Sequence, residues 1–203
     1  MSVIAKLRLN PLSVVQSGGL RTGPKSGSFS GVQQGGNCQI SESDAGGGIT
    51  DLEAKSGAGT DYFFPWLQRS FTWVKVPKNA PNGTIVMTGG VNGCSLIVSE
   101  LGTDYYFYHD GDSKYLPIGH ASIKGTEVVR IKPSDYDPGD STNKIFQGLL
   151  KSNQKAGIAF SGDLSYGTYV VFVKVGGQYT VVSSPIISVN GLMHLKGAQV
   201  TQF

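Results

Sequence analysis

The sequence predicts an α+β protein whose core is a mixed or antiparallel β-sandwich, with few helices and long glycine-rich loops. From Asp61 onward, short runs of β-branched, aliphatic and aromatic residues alternate with turn-forming residues, which is typical of strands. A Gly-Gly pair at positions 176 and 177 marks the clearest hairpin turn. Glycine accounts for 29 of the 203 residues, so loops must be abundant.

One helix stands out among the nine predicted strands. It begins at Asp140 or Ser141, either of which can cap it, and ends before Gly157. Four apolar residues between positions 145 and 150 form its buried face. This mixture favours an α+β sandwich over a doubly wound parallel sheet. The predicted strands cover residues 70–76, 84–88, 95–99, 104–109, 127–131, 158–161, 169–175, 179–183 and 186–189.

The first 60 residues have a different composition. An apolar piece at residues 3–15 is followed by a Gly- and Ser-rich stretch over residues 17–59. Because only a short element precedes it, this stretch is interpreted as a long loop packed over a sheet edge rather than as a linker. The chain is therefore predicted to be a single domain, residues 1–203, in which residues 1–60 form a loop-rich part packed on the core.

Charge and cysteine content narrow the function classes. The net charge is only +3, and no run of Lys or Arg forms a patch for nucleic acid or anionic lipid. Lys6 and Arg8 interrupt the apolar start, so neither a Sec signal nor a membrane anchor is predicted. Two cysteines, Cys38 and Cys94, are too few for a disulfide framework and suit a reducing compartment.

Cys94 and His109 flank a segment that predicts a hairpin. Residues 94–99 and 104–109 have strand composition, and the only glycine between them is Gly102. A loop centred between Leu101 and Gly102 places Cys94 directly opposite His109, on the same face of the sheet. An imidazole at that distance can remove the proton of a thiol and so activate it for acyl transfer.

The segment before Cys94 suits the other requirements of this chemistry. Glycines in the loop at residues 89–93 let the main chain approach a substrate, so the Cys94 N–H and a second N–H of this loop are predicted to bind an oxyanion. Thr88, at the end of the preceding strand, can orient the imidazole. The catalytic residues predicted are therefore Cys94, His109 and Thr88.

Each of these residues also has a structural interpretation. A single strand Cys is usually a small buried hydrophobe, and a His at a strand end is usually a surface residue. His120 and His194 are alternative bases, but neither is close to Cys94 along the chain. Zinc-ligand spacings and nucleotide-binding fingerprints are missing from the sequence, so no metal and no cofactor are predicted.

Residues 84–109 resemble a group of bacterial deamidases. Val91-Asn-Gly-Cys94, followed by an aliphatic strand and by His109, is similar to the motif of the cytotoxic necrotizing factor catalytic domains, which deamidate a glutamine of Rho GTPases. Thr88 also resembles the Thr of the Thr-Cys-His arrangement in Burkholderia lethal factor and in chemoreceptor glutamine deamidases. In its single-domain size, the chain is most similar to Burkholderia lethal factor. Asn92 stands where these motifs usually have Ser.

The resemblance implies a protein-glutamine deamidase, a hydrolase acting on a side-chain carboxamide through a Cys-His thioester mechanism. It implies a toxin that inactivates the translation-initiation DEAD-box helicase eIF4A and blocks host translation. Deamidation or transglutamination of a Rho GTPase, and deamidation of a chemoreceptor, remain alternatives. The fourth interpretation is a non-enzymatic β-sandwich binding module.

The expected partner is accordingly a host protein that presents a glutamine, either an eIF4A-like helicase or a small GTPase. Direct contact with nucleic acid or membrane is not expected, and the chain is expected to be a monomer. We expect it to be made in a bacterial cytoplasm, to leave by a route other than Sec, and to act in the host cytoplasm.

Overall fold

Two β-sheets and four α-helices make up the computed structural model, which describes all 203 residues. The α+β class predicted from the sequence is confirmed. The helices are α1 (Val3–Leu9), α2 (Pro11–Ser17), α3 (Pro133–Tyr136) and α4 (Ser141–Lys155). The strands are β1 (Gly19–Pro24), β2 (Gly36–Gly46), β3 (Ile49–Ser56), β4 (Asp61–Phe63), β5 (Phe71–Pro77), β6 (Ile85–Met87), β7 (Ser95–Leu101), β8 (Asp104–Asp110), β9 (Thr126–Ile131), β10 (Ser165–Val175), β11 (Gln178–Ser188), β12 (Leu192–His194) and β13 (Ala198–Gln202).

The larger sheet is mixed and has nine strands, in the order β1-β3-β2-β4-β6-β10-β11-β12, with β13 also paired to β11. Its β1–β3 and β4–β6 pairs are parallel and the other pairs are antiparallel. The smaller sheet, β5-β8-β7-β9, is entirely antiparallel. Antiparallel strands can be joined by short hairpins, which explains the frequent turn signals in the sequence.

The two sheets pack face to face on one apolar core. This inter-sheet core includes Phe64 and Phe172 from the larger-sheet side and Leu96 and Phe107 from the smaller sheet. A second core lies on the other face of the larger sheet, where α1 and α2 cover it. A third, smaller cluster lies on the outer face of the smaller sheet. The molecule therefore has three layers, and the inter-sheet core is where residues of the predicted site lie.

The N-terminal part contains far more regular structure than predicted. Residues 1–60 hold two helices and three strands rather than a long loop, so the loop-rich prediction is wrong. Ser2 caps α1 and Asn10 caps α2, each accepting a main-chain N–H at 3.1 Å. Strand β2 is rich in Gly and Ser but is held by pairing to β3, because cross-strand contacts outweigh weak intrinsic propensity. That the chain forms one domain stays a prediction.

Three smaller corrections concern the C-terminal half. Residues 158–161 are not a strand. The two strands predicted on either side of Pro185 form one strand, β11, because Pro185 lies between the segments that pair with β13 and β12, where a ladder N–H is not needed. Asp140 is the N-cap residue of helix α4, as predicted, but its side chain makes no capping hydrogen bond; Asp137 Oδ1 accepts the Thr142 N–H at 3.0 Å instead. None of the four helices is long and apolar enough to span a membrane.

Candidate functional site

The β7–β8 hairpin positions the two predicted reactive residues, but with a different register from the predicted one. Leu101 pairs with Asp104, so the turn is Gly102-Thr103, and His109 lies opposite Leu96 rather than opposite Cys94. Gly102 has a φ of +58°, which favours glycine at the first position of a two-residue hairpin turn. The turn is centred one residue later than predicted, and this displaces the cross-strand partner by two positions.

A displacement by two preserves the face of the sheet. Side chains alternate along a strand, so Cys94, Leu96 and His109 all project toward the other sheet. Cys94 is part of the inter-sheet core together with Phe64, and the His109 ring packs edge-on against Phe64 with ring centroids 6.5 Å apart. Cys94 directly precedes β7, two residues before the Leu96 that pairs with His109, and both side chains border the inter-sheet core beside Phe64.

Thr88 and His109 are in direct contact. Thr88 Oγ1 lies 2.9 Å from His109 Nδ1. Thr88 follows β6 of the larger sheet, whereas His109 is on β8 of the smaller sheet, so this hydrogen bond joins the two sheets. The Thr22 hydroxyl in turn donates to the Thr88 main-chain carbonyl. Thr88 is thereby fixed on the larger sheet and holds one ring nitrogen of the imidazole.

The other ring nitrogen of His109 is unoccupied. Its Nε2 is buried and has no hydrogen-bond partner, and the residue is only 1% exposed. Burial lowers the pKa of His109 from 6.5 to about 3, because the apolar surroundings disfavour the imidazolium. The ring is therefore neutral at physiological pH, and Nε2 is the ring nitrogen that the Thr88 contact leaves free.

Cys94 is also buried and neutral, and is 4% exposed. Burial raises the pKa of its thiol above the ordinary value of 9.0, and the carboxylates of Asp112 and Asp110 raise it further. Main-chain hydrogen bonds with Asp112 and Asn92 act in the opposite direction. The thiol lies 4.0 Å from the Asn92 carbonyl oxygen, to which it can donate. The resting pair is thus a thiol and a neutral imidazole rather than an ion pair.

The loop at residues 89–93 is pinned at its centre. Val91 and Thr168 exchange two main-chain hydrogen bonds of 2.7 and 3.0 Å. Gly93 has a φ of +81°, so a glycine is favoured immediately before Cys94. Assignment of the oxyanion donors to this loop and to the Cys94 N–H stays a prediction.

A cleft of about 430 Å³ opens beside this loop. Asn92 and Gly93 form one wall of it, and Tyr136 and Asp137 belong to the segment on the other side. The Tyr136 hydroxyl donates a 3.0 Å hydrogen bond to the Cys94 carbonyl. The cleft therefore reaches the main chain next to Cys94, although the side chains of Cys94 and His109 do not line it.

The two alternative histidines lie elsewhere. His120 packs on Phe71, with centroids 6.5 Å apart, beside the cluster on the outer face of the smaller sheet. His194 is on β12 at an edge of the larger sheet. Neither shares the face that carries Cys94. No group of three or more His, Cys, Asp or Glu side chains is arranged to hold a metal ion.

Sequence reasoning missed Asp112 and Tyr136, which contact Cys94 through the main chain. Tyr136 is 42 positions away in the chain, and no local spacing connects it to the thiol. Asp112 lies in a turn that resembles any other solvated turn in the sequence. Both contacts depend on tertiary packing, so the sequence alone holds no signal for them.

Comparisons with known proteins give partial similarities. A family model described as the Mcf1 activator-binding domain matches residues 65–116, which span β5 to β8. A search of curated proteins gives no match. Among solved structures, the chain is similar to the C-terminal domain of CNFy from Yersinia pseudotuberculosis, with 14% identity and a TM-score of 0.31. That match covers 72% of this chain and 64% of the CNFy chain, so the chain spans less than two thirds of it.

Proposed function

We propose that this protein is a protein-glutamine deamidase in which Cys94 is the nucleophile, His109 the acid and base, and Thr88 the group that orients His109. The observation that carries the proposal is the contact between Thr88 Oγ1 and His109 Nδ1. This contact leaves Nε2 without a partner, in a ring that packs on the same inter-sheet core as Cys94. Such a Cys-His-orienting group arrangement suits acyl transfer.

The tautomer follows from the hydrogen bond. If Nδ1 carries the proton and donates it to Thr88 Oγ1, Nε2 presents a lone pair to the thiol. Proton transfer from Cys94 to Nε2 gives a thiolate, which attacks the carboxamide carbon of a glutamine side chain. The imidazolium then protonates the departing ammonia, and a thioester remains on Cys94. Water, deprotonated by Nε2, hydrolyses the thioester and leaves glutamate with a free thiol.

The burial of both reactive groups restricts the substrate. The resting thiol and imidazole are neutral, so charge separation must occur with substrate present and water excluded. A glutamine that enters beside Asn92 and Gly93 must protrude from the surface that carries it. We therefore infer that the substrate is a folded protein with its glutamine on an exposed loop, rather than a free amino acid.

The resemblance of residues 84–109 to deamidase toxins supports a more specific version. In that version the protein is a toxin that acts in a host cytoplasm, after delivery from a bacterium by a route other than Sec, and inactivates an eIF4A-like helicase to block translation. A Rho-type GTPase is the alternative host target, and a chemoreceptor is the third. Conversion of glutamine to glutamate replaces hydrogen-bond donors with an acceptor-only anion, which can disable the target.

The test is to incubate purified eIF4A, a Rho GTPase and a chemoreceptor domain separately with the wild-type protein and with Cys94→Ser. Peptide masses should show conversion of one glutamine to glutamate in one target with the wild type only. Equal conversion by both proteins, or conversion of none of the targets, contradicts the proposal. Addition of a primary amine separates deamidation from transglutamination, because a transglutaminase incorporates the amine into the product.

The match of residues 65–116 to an activator-binding domain favours a second function, which is recognition of a host protein by strands β5 to β8. This function requires no reaction at Cys94. A host protein that binds the wild type and Cys94→Ser equally, and whose glutamines keep their mass, would favour the binding module. A bound protein that is deamidated by the wild type alone would favour the enzyme.

A further inference from the structure

A short turn directly after His109 has an unusual backbone. Residues Gly111–Ser113 form a 3-10 turn that follows β8, and its last two residues, Asp112 and Ser113, have φ values of +54° and +56°. Left-handed conformations are disfavoured for residues other than glycine, and two in succession must be held by surrounding contacts. Strain of this kind tends to be retained near functional sites.

The contacts that hold this turn converge on Cys94. The Ser113 hydroxyl donates to the Gly93 carbonyl at 2.9 Å and accepts from the Ser95 hydroxyl at 2.7 Å. Ser113 therefore binds both the residue before Cys94 and the residue after it.

The other end of the turn is fixed as well. Asp110 Oδ1 accepts the main-chain N–H groups of Tyr115 at 2.7 Å and Leu116 at 3.2 Å. Asp110 directly follows His109 on β8, so the turn is attached at one end to the strand of the imidazole and at the other to the segment of the thiol. The turn thus sets the position of the His109 imidazole relative to the Cys94 thiol.

We propose that Ser113 is a positioning residue, whose hydroxyl locks the segment from Gly93 to Ser95 so that the Asp112 main-chain N–H points at the Cys94 sulfur. This inference rests on the proposed function for its catalytic meaning. A main-chain hydrogen bond with Asp112 lowers the pKa of the Cys94 thiol, although burial raises it by more. A donor aimed at sulfur stabilises the thiolate relative to the thiol, so it favours the form that attacks the substrate.

The test measures how fast iodoacetamide alkylates Cys94 as a function of pH, with the site read from peptide masses. Two variants, Ser113→Ala and Ser113→Gly, remove the hydroxyl. The matched control is Ser99→Ala, which removes another β7-region hydroxyl that donates to a main-chain carbonyl, that of Lys124, at 2.6 Å. Cys38 in the same digest serves as an internal reference.

Both Ser113 variants should move the inflection of the Cys94 profile to higher pH and slow its alkylation near neutral pH about five- to tenfold, the effect expected from loss of one hydrogen bond. Ser99→Ala should leave the profile unchanged. The plateau rate reports access to the sulfur, and the inflection reports the stability of the thiolate, so the two effects are separable.

A wild-type inflection in both Ser113 variants would overturn the proposal, even if their melting temperatures fall. Ser113→Gly keeps the test valid where Ser113→Ala folds poorly, because glycine accepts the left-handed backbone. The alkylation needs no substrate, so its outcome is independent of the deamidation assay. Where deamidation is measurable, kcat should fall with KM unchanged, since the hydroxyl orients the nucleophile and does not bind substrate.

Discussion

The two free cysteines of this protein are both buried, but different groups surround their sulfur atoms. Cys38 and Cys94 are both buried, 0% and 4% exposed, and lie in two different apolar cores. Burial raises the pKa of Cys38 from 9.0 to about 12, with the Asp61 carboxylate contributing in the same direction. Cys94 also experiences desolvation, but main-chain hydrogen bonds with Asp112 and Asn92 offset part of it.

The surroundings account for the difference. Cys38 lies on β2 near the Arg8–Asp61 ion pair, whose N–O distance is 2.6 Å, and the guanidinium lowers the Cys38 pKa less than burial raises it. Cys94 precedes a strand whose partner carries His109. A buried thiol becomes a nucleophile when hydrogen-bond donors and a nearby base favour its thiolate, and our proposal assigns that role to the surroundings of Cys94.

The largest expected effect comes from a matched pair of substitutions, Cys94→Ala and Cys38→Ala. We expect Cys94→Ala to reduce deamidation of the target by about 10³-fold or more, since the covalent step is lost. Cys38→Ala should retain kcat and lose only about 1 kcal/mol of unfolding free energy through a small cavity. Product mass measures the activity of each variant, and urea denaturation measures its unfolding free energy. Equal loss of activity in the two variants would erase the distinction between the two regions.

The second-largest expected effect is a loss of stability in acid, caused by the burial of neutral His109. Its pKa is about 3 in the folded protein and about 6.5 when unfolded, so between these values the unfolded state binds more protons. The free energy of unfolding should therefore fall as pH drops below about 6.5, by about 2–3 kcal/mol at about pH 4.5. His109→Gln lacks this titration. Denaturant titrations of both proteins should diverge with decreasing pH, and parallel curves would contradict the burial of a neutral ring.

The smallest expected effect sharpens the role of Thr88. Thr88→Val keeps the shape of the side chain but leaves His109 Nδ1 without its partner. An unpaired buried polar atom costs about 1–3 kcal/mol, and loss of orientation should lower kcat about tenfold. Thr84→Val is a suitable control, because the Thr84 hydroxyl is buried and already without a partner. Equal kcat in the Thr88 and Thr84 variants would remove Thr88 from the site.

The sequence predicted the central strands well because their alternation and turn glycines are local features. Strands β5, β7, β8 and β9 were expected within two residues of their ends, as was the helix after Asp140. The face shared by Cys94 and His109 could be predicted although the register was wrong, because a two-residue displacement preserves the side of the sheet.

The N-terminal strands and the supporting contacts of the site could not be predicted in this way. The Gly- and Ser-rich β2 becomes a strand through pairing with β3, which composition does not show. Thr88 is predicted to orient His109 because it lies shortly before Cys94 in the chain. The hydrogen bond between Thr88 and His109, however, joins two different sheets. The contacts of Ser113 and Tyr136 with the Cys94 segment arise only when distant segments pack together.

The neutral state of the resting thiol has a further consequence for the handling of this protein. Peroxide and other oxidants attack thiolates that are exposed to solvent, and Cys94 is neither ionised nor exposed. The free protein should therefore survive an oxidising environment with its sulfur reduced. The free thiol should then react only slowly with oxidants or alkylating agents near neutral pH, and storage of the isolated protein should consume little of it.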